Sequence, residues 1–390
     1  MKKLYLITIV VLMLIALGLW IGIHETKSQG RAFSFKVMAP LPTNSRYWTI
    51  YWAGGLITQG GDSKSQYFFV KDKLIQVGKT LPDAVVLSSY CKDKYLFSWF
   101  GEPRSEYLGV FDLDAGKAEK IISHDNATFI ENTVMDSGCN WSPDYRTLIA
   151  WAREDGRVEP DTLAFVDRAS GHIRKWKAHS GVVKSTAWPE SEPRTVFILT
   201  VRPGALYSVN TTNINTKSVL RLPNLDASSG AVLSPKGDRA IGFGPTRSWA
   251  DGTRYKDGRW TNYFHFTGTF YLDFKHQTLK RPLKTADGQD MSKLMIDSAF
   301  WSPNGTKLAV LAYGKTNTSP HLYIGDPAKS LTPVRLSRRY RFVGYNDKGL
   351  TDHQLAWDQD NTCLYAVVID KLAGLEGKVQ YIIIKINTQN

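Results

Sequence analysis

The side chains with the clearest chemical potential in this sequence stand just before recurring tryptophans. They are Asp136 before Trp141, Lys184 before Trp188, Asp297 before Trp301, and Asp352 with His353 before Trp357. Carboxylates and an imidazole gathered around one opening could bind a metal ion or a cationic group. The same side chains could instead cap strand ends and bond the backbone of a neighbouring repeat, and both interpretations stay open.

A second group combines arginines with aromatic residues in two long segments between predicted strands. Segment 245–264 contains Arg247, Trp249, Arg254, Tyr255, Lys256, Arg259 and Trp260, and segment 337–349 contains Arg338, Arg339, Tyr340 and Arg341. Aromatic rings fill protein pockets or stack on sugars, and guanidinium groups pair with carboxylates or phosphates. These residues are candidates for binding a protein partner or an anionic polymer. The alternative for segment 245–264 is a lid packed over its own repeat.

Both groups occur within a repeat that runs along the chain. Its best copies are WSPDYRTLIAW from Trp141 and WSPNGTKLAV from Trp301, weaker copies begin at Ser89, Ala187, Val232 and Ala356, and an earlier unit fills 47–78. The spacing from Pro143 to Pro189 and from Pro189 to Pro235 is 46 residues, and the next, to Pro303, is 68. A period of about 40–50 residues is typical of propellers and solenoids.

Each unit has the same internal pattern of strands and turns. An apolar stretch ends in Trp or a substitute, a Ser-Pro turn follows, and a hairpin such as LAFVDRASGHIRKWKA closes the unit. No amphipathic helical run is visible beyond the N-terminus. Four strands per unit predict an all-β, seven-bladed β-propeller, or a six-bladed one if the first unit merges elsewhere. Residues 32–40 alternate like a strand and are predicted to join the C-terminal blade and close the ring.

The W-S-P-[DN]-G-x-x-L-A pattern, followed by a strand and D-x-x-[ST]-G, resembles the TolB-like, WD-repeat-related propellers of bacterial envelopes. The resemblance covers about residues 47–390 and implies the fold and an envelope location rather than a particular activity. The chain departs from the pattern in WPESEP at Trp188, in the fourth unit, which lacks the Trp, and in WDQDN at Trp357. It also has no segment long enough for the separate N-terminal domain expected of TolB itself.

The N-terminal segment has the pattern of a membrane anchor. Lys2 and Lys3 precede residues 4–23, which contain no charge. Such a run is long enough for one membrane-spanning helix, and the leading lysines predict that its N-terminus stays in the cytoplasm. We therefore expect a signal anchor at 1–26, a linker at 27–31 and the propeller at 32–390. A cleaved signal peptide, giving a secreted protein, and an ordinary buried helix are the alternatives.

Charge and cysteine content narrow the possible partners. The formal net charge is +13, of which the anchor contributes only two lysines, so the remainder is basic. A basic net charge can indicate an anionic partner, or it can simply keep the protein surface soluble. Export to the periplasm excludes nucleic acid as the expected partner. Cys91, Cys139 and Cys363 are too far apart for a metal motif and favour buried thiols, with a Cys91–Cys139 disulfide as the alternative.

The sequence therefore predicts a single-pass protein of a bacterial inner membrane with its propeller in the periplasm. Its expected role is non-catalytic binding of an envelope protein or anionic polymer through the propeller face that carries the long loops. That face should point away from the bilayer. No G-x-S-x-G, H-E-x-x-H or C-x-x-C motif is present, and no cofactor is expected. A propeller lactonase, lyase or hydrolase using Asp136, Asp297, Asp352 and His353 is the alternative.

Overall fold

A computed structural model describes part of the chain. The described residues are 33–41, 48–52, 56–60, 66–70, 73–76, 84–90, 95–100, 107–112, 117–123, 130–131, 141–154, 157–201, 204–222, 230–245, 253–256, 259–262, 266–275, 278–280, 283–291, 294–314, 319–343, 354–373 and 379–389. Within these ranges, no helix is long and apolar enough to span a membrane. The predicted anchor at 4–23 and linker at 27–31 lie outside them.

The described elements are β-strands, and the first half of the chain forms four sheets after strand β1 (Phe35–Pro40). Sheet 1 contains β2 (Trp48–Trp52), β3 (Leu56–Gly60), β4 (Gln66–Val70) and β5 (Lys73–Gln76). Sheet 2 contains β6 (Ala84–Tyr90), β7 (Tyr95–Phe100), β8 (Tyr107–Asp112) and β9 (Lys117–Ser123). Sheet 3 contains β10 (Ile130–Glu131), β11 (Thr147–Glu154), β12 (Arg157–Asp167) and β13 (Ile173–Lys177). Sheet 4 contains β14 (Val182–Ala187), β15 (Thr195–Val201), β16 (Gly204–Asn210) and β17 (Thr216–Leu222).

The second half forms three further sheets and a separate hairpin. Sheet 5 contains β18 (Gly230–Leu233), β19 (Arg239–Pro245), β22 (Phe266–Asp273) and β23 (Thr278–Lys280), and the hairpin β20 (Thr253–Lys256) with β21 (Arg259–Asn262) lies between β19 and β22 in the chain. Sheet 6 contains β24 (Met295–Trp301), β25 (Leu308–Tyr313), β26 (His321–Asp326) and β27 (Ser330–Val334). Sheet 7 contains β28 (Tyr340–Phe342), β29 (Leu355–Trp357), β30 (Cys363–Asp370), β31 (Gln380–Asn387) and β1.

Neighbouring sheets approach one another through their first strands. β14 contacts β18, β18 contacts β24, and β2 contacts β29. Between adjacent sheets lie buried apolar clusters, for example Phe165 with Ile198 between sheets 3 and 4, and Leu311 with Ile384 between sheets 6 and 7. Removing these faces from water is the main favourable contribution to packing of the sheets. Several four-stranded antiparallel sheets packed in this way are consistent with a β-propeller.

Strand β1 belongs to the last sheet although it comes first in the chain. It pairs antiparallel with β31, with Phe35 opposite Ile386 and Pro40 opposite Ile382. The sequence predicted that residues 32–40 would pair with the C-terminal blade. In the structure the paired strand is Phe35–Pro40. Because β1 is the outermost strand of sheet 7, residues from both ends of the described chain complete one sheet.

The turn that recurs between first and second strands is held by one side chain. The residue after the Trp position accepts a hydrogen bond from the backbone amide five residues later. The acceptor and donor pairs are Ser142 Oγ with Thr147 at 2.9 Å, Ser234 Oγ with Arg239 at 3.1 Å, Ser302 Oγ with Lys307 at 2.9 Å and Asp358 Oδ1 with Cys363 at 3.0 Å. A short polar side chain at this position satisfies a backbone donor that the tight turn leaves unpaired.

The third residue after that acceptor adopts a left-handed backbone. It is Gly237 with φ 68° and Gly305 with φ 69° in sheets 5 and 6, but Tyr145 with φ 56° and Asn361 with φ 60° in sheets 3 and 7. Glycine accepts this conformation without a steric cost, whereas a residue with a Cβ does not. The turn geometry is therefore retained even where the sequence departs from Ser-Pro-x-Gly.

In sheets 6 and 7 the repeated tryptophan links the sheet to the one before it. Trp301 Nε1 donates to the backbone oxygen of Val232 at 3.1 Å, and Trp357 Nε1 donates to that of Phe300 at 3.1 Å. Both rings are also buried. One residue type thus fills the space between sheets and satisfies a buried carbonyl of the neighbour, which explains its place in the repeat.

The turns of sheets 5, 6 and 7 lie together at one end of these sheets, here named the turn end. Arg239 donates from Nη2 to the oxygen of Gly305 at 2.6 Å, and the amide of Asn304 donates to Asn361 Oδ1 at 2.8 Å. The opposite end, where β19 leads into the hairpin and β30 leads towards β31, is named the loop end.

Strand β1 starts at the turn end. The amide of Asn387 donates to the oxygen of Ser34 at 2.9 Å, and the amide of Thr388 donates to the oxygen of Thr362, next to the sheet 7 turn, at 2.9 Å. The beginning of β1 and the hairpin β20–β21 therefore lie at opposite ends of the sheets.

Candidate functional site

The loop end of sheet 5 carries the largest departure from the repeat. Strands β20 and β21 pair with each other, with Tyr255 opposite Trp260 and Arg254 opposite Thr261. They form a two-stranded sheet that is separate from sheet 5. Four of the predicted partner-binding residues, Arg254, Tyr255, Arg259 and Trp260, are thereby brought into one hairpin, while Arg247 and Trp249 lie outside the described residues.

The loop end of sheet 7 carries the second predicted group. Arg338 and Arg339 lie in a turn that the amide of Tyr340 closes by donating to the oxygen of Ser337 at 3.0 Å. The prediction of one loop over 337–349 is wrong, because Tyr340–Phe342 forms strand β28 and pairs with β30. The sequence signal that the prediction missed is the alternation of aromatic and charged residues in YRF. Its last residue, Phe342, is buried in the core between sheets 6 and 7.

Tyr340 and Arg341 are consequently half-buried strand residues rather than loop residues. The Tyr340 ring meets the Phe35 ring of β1 edge-on, with centroids 6.1 Å apart. It also packs against the core shared by sheets 6 and 7. Tyr340 therefore has a structural role in the protein interior, which accounts for its aromatic character without a bound partner.

Arg339 is committed to an ion pair with Asp370. Its Nε lies 2.9 Å from both carboxylate oxygens and its Nη2 lies 2.6 Å from Oδ2. The Asp370 side chain is only 4% exposed, against 48% for Arg339. The hydrogen bond from Arg339 holds the pKa of Asp370 below its ordinary value in spite of burial, and the same contact raises the pKa of Arg339. Arg339 thus helps to build the loop end, because a buried carboxylate requires such a partner.

Lys184 and Asp297 occupy equivalent positions in different sheets. Each is the extra residue of a β-bulge in a first strand, Lys184 in β14 and Asp297 in β24. The strands belong to sheets 4 and 6, which both contact β18 of sheet 5. Bulges re-aim side chains and often occur beside functional sites. Asp136, Asp352 and His353 lie outside the described residues.

The residue after Lys184 performs a structural task. Ser185 is buried, and its Oγ accepts a hydrogen bond from the amide of Leu233 in sheet 5 at 2.9 Å. At sheet 4, therefore, Ser185 helps to join sheets 4 and 5, and the role predicted for Lys184 stays open.

The part of the chain that the structure describes gives little support for a metal site or a reactive cysteine. No group of three or more His, Cys, Asp or Glu residues able to hold a metal occurs among the described residues. Cys363 is a buried free thiol, and Cys91 and Cys139 lie outside the described ranges. A buried thiol packs as a small apolar group.

The sequence did not single out the exposed leucine at the loop end of sheet 7. Leu372 follows β30 and is 75% exposed, and Val379 precedes β31 and is 45% exposed. The sequence did offer one signal that a leucine here could be exposed. Leu372 stands beside a lysine in DKLAGLEGKV, a glycine-containing stretch between two strongly apolar strands. Its exposure could not be read from the sequence, because leucine is usually buried.

Comparison with known proteins supports the fold. No protein-family model matches this chain, and no curated protein matches its sequence. Solved structures of distant β-propeller proteins match this chain. An oligogalacturonate lyase in complex with manganese is 11% identical, with a TM-score of 0.51 over 91% of this chain and 96% of that chain.

Two further structures match less well. KlHsv2 with loop 6CD replaced by a Gly-Ser linker is 14% identical, with a TM-score of 0.48 over 88% of this chain and 98% of that chain. Hydrazine synthase of Kuenenia stuttgartiensis is 14% identical, with a TM-score of 0.38 over 65% of this chain and 62% of that chain, so this chain spans less than two thirds of its length. These likenesses concern the β-propeller fold alone, and the TolB-like resemblance stays a prediction.

Proposed function

We propose that this chain is a membrane-anchored, seven-bladed β-propeller that binds a partner through its loop end. In this proposal residues 4–23 span a bacterial inner membrane, the seven sheets are the blades of a closed ring in the periplasm, and β1 completes the seventh blade. The partner is an envelope protein, or an anionic envelope polymer. The role is that of a scaffold, without a cofactor.

The observation that carries this proposal is the hairpin β20–β21. It extends sheet 5 at the loop end by an insertion whose two strands pair with each other rather than with the sheet. The two strands contain Arg254, Tyr255, Arg259 and Trp260, and arginine, tyrosine and tryptophan are the residue types enriched at interaction hot spots. The connection from β19 to β22 is far longer than the usual hairpin loop of about 2–5 residues, and unusually long connections are more often functional than idle.

The position of β1 supports an outward-facing loop end. If residues 4–23 cross the membrane, the chain enters the propeller through Ser34 and Phe35 at the turn end. The turn end then lies nearer the bilayer, and the hairpin lies at the opposite end, towards the periplasm. A scaffold whose binding surface faces away from its own membrane can reach soluble proteins and polymers.

The outer edges of four of the described sheets offer a partner little opportunity to add a strand. Outer strands β1, β9 and β17 each carry a bulge, which interrupts regular pairing. The outer edge of β27 is covered where Leu331 pairs with Thr285. Such devices prevent edge-to-edge association, so loop-end contacts are the better route to a partner.

The test is a crosslinked pull-down of the full-length protein from its native membrane. We expect one stoichiometric envelope protein or a defined polymer, which is lost when Arg254, Arg259 and Trp260 are all changed to Ala. The control variant, Arg146→Ala with Lys236→Ala, removes two exposed cations at the turn end and should retain the partner. No partner with the wild-type chain, or equal loss in both variants, would contradict the proposal.

A propeller enzyme is the second candidate, and the bulges at Lys184 and Asp297 are the observation that favours it. Bulged residues at matching positions of two first strands could direct an acid and a base towards one opening. Asp297→Asn would then abolish turnover of lactone, polyuronate or peptide substrates by the purified protein, with the hairpin variant active. Under the scaffold proposal Asp297→Asn retains the partner, so the two functions predict opposite results.

A further inference from the structure

Four large apolar side chains are exposed among the described residues: Val37, Val219, Leu372 and Val379. Two of them have a geometric reason in the sheets. Val219 is the extra residue of the bulge in β17, and Val37 stands directly before the bulge in β1. Leu372 and Val379 lie outside the strands, at the two ends of the segment that joins β30 to β31. Their exposure therefore calls for another explanation.

The backbone around Leu372 is held by the ion pair of Arg339 and Asp370. Asp370 Oδ1 accepts the amide of Leu372 at 3.0 Å, and the carboxylate also accepts hydrogen bonds from the backbone of Ala373 and from Arg339. The amide of Lys371 donates to the oxygen of Arg339 at 2.9 Å. Leu372 is thus presented from a fixed backbone, so that little conformational entropy would be lost when it is buried by a partner.

Within the described residues, the exposed charged side chains next to Leu372 are cationic, namely Arg338 and Lys371. Asp370, the described acid beside them, is already paired with Arg339. A partner that covers Leu372 would therefore approach a positive rim, and acidic groups on that partner would gain the most from the approach.

We propose that Arg338, Lys371, Leu372 and Val379 form a docking surface for a protein that offers an apolar pocket rimmed by Asp and Glu. This surface is named the basic–apolar corner, and its assignment rests on the proposed function because it identifies the chemistry of the partner. An acidic polysaccharide supplies carboxylates but no pocket for leucine. A lipid surface would lie at the turn end, where β1 begins, rather than here.

The experiment compares two matched double variants of the full-length chain. Lys371→Glu with Leu372→Ser changes the basic–apolar corner. Lys217→Glu with Val219→Ser makes the same change in charge and apolar surface on strand β17, where Lys217 is exposed and Val219 is 49% exposed. Binding of the protein captured in the pull-down is measured for both variants at low and high salt.

We expect the corner variant to weaken binding by at least about tenfold and the β17 variant to leave it within about twofold of wild type. The wild-type affinity should fall with salt more steeply than that of the corner variant. A benzophenone side chain introduced at position 372 should crosslink to a segment of the partner that contains acidic and apolar residues.

The inference would be overturned by equal effects of the two double variants, by a crosslink to a basic or neutral segment, or by a crosslink to lipid or polysaccharide. The hairpin variant is the triple alanine variant of Arg254, Arg259 and Trp260. If the partner is lost with that variant but retained with the corner variant, this inference fails while the proposed function stands. Failure of the wild-type chain to capture any protein defeats the inference, and if it captures no polymer either, the proposed function fails as well. Equal thermal midpoints of the two double variants establish that both are folded.

Discussion

The turn end and the loop end of the sheets are built on different principles. At the turn end, each position of the repeat performs the same task in several sheets: a serine or aspartate holds the turn, and a neighbouring sheet contacts it. At the loop end, sheets 5 and 7 differ from each other, one extended by a hairpin and the other fixed by a single ion pair. Regular repetition thus serves assembly, whereas the irregular end supplies the surface available for recognition.

The comparison predicts its largest effect for the repeated tryptophan. Trp301→Ala should lower the free energy of unfolding by about 3–5 kcal/mol, because a buried ring is lost and a cavity forms between sheets 5 and 6. Trp301→Phe should cost less, about 1–2 kcal/mol, since a ring remains while the hydrogen bond to Val232 is lost. Urea unfolding of the full-length protein in detergent measures both. Equal losses for Ala and Phe would contradict the assigned packing role.

Two glycines at equivalent positions, Gly237 in the turn of sheet 5 and Gly305 in that of sheet 6, distinguish backbone strain from steric crowding. A Cβ added at Gly237 would lie 2.4 Å from Cδ2 of Phe197, whereas at Gly305 the nearest atom, Cδ of Pro235, is 3.5 Å away. Both positions are left-handed, so Gly305→Ala should cost about 1 kcal/mol and Gly237→Ala about 2–4 kcal/mol. The same urea titration tests the order, and a larger loss for Gly305→Ala would refute this account of the turns.

At the loop end the largest effect on stability is expected at Asp370. Asp370→Asn should cost about 1–3 kcal/mol at neutral pH, because a charged hydrogen-bonding partner of Arg339 is removed. The folded-state pKa of Asp370 is lowered, so its contribution is present above the unfolded pKa of about 3.9 and is lost as pH falls through the folded value.

Unfolding curves of wild type and Asp370→Asn, recorded between neutral and acidic pH, check both points. The two proteins should approach each other in stability only in the acidic range. A constant difference down to pH values well below the ordinary aspartate pKa would show that the ion pair is not its cause.

The smallest effect on stability is expected for the basic–apolar corner. Lys371→Glu with Leu372→Ser should change the free energy of unfolding by less than about 0.5 kcal/mol, because both side chains are exposed. Thermal unfolding beside wild type measures this. A loss comparable to that of Asp370→Asn would mean that these side chains stabilise the fold, which would contradict the contrast between the two ends.

Much of the architecture follows from local sequence patterns. The Trp-Ser-Pro repeat and the Asp-Arg-Ala-Ser-Gly bend predicted strands joined by tight turns, and the structure has both. The bend shows why: Gly171 is left-handed with φ 68°, and Asp167 accepts the amide of Ser170 at 2.8 Å. These interactions span only a few residues, so the residue types alone determine them.

Positions where the sequence departs from the repeat show how far tertiary packing can override local preference. Tyr145 and Ile214 have φ values of 56° and 59°, at positions where sister turns carry glycine. Local propensity argues against a left-handed tyrosine or isoleucine. The surrounding sheets hold the turn nevertheless, because the neighbouring strands must remain in register.

The sequence by itself determined that this chain is an all-β protein of repeated units, since periodicity and turn residues act over short distances. It also indicated where arginine and aromatic residues collect. Tertiary structure alone decided that Arg339 is bound to Asp370 and that Leu372 is exposed. Those outcomes depend on contacts between residues about thirty positions apart or on the far side of a sheet, where no local pattern can specify which groups meet.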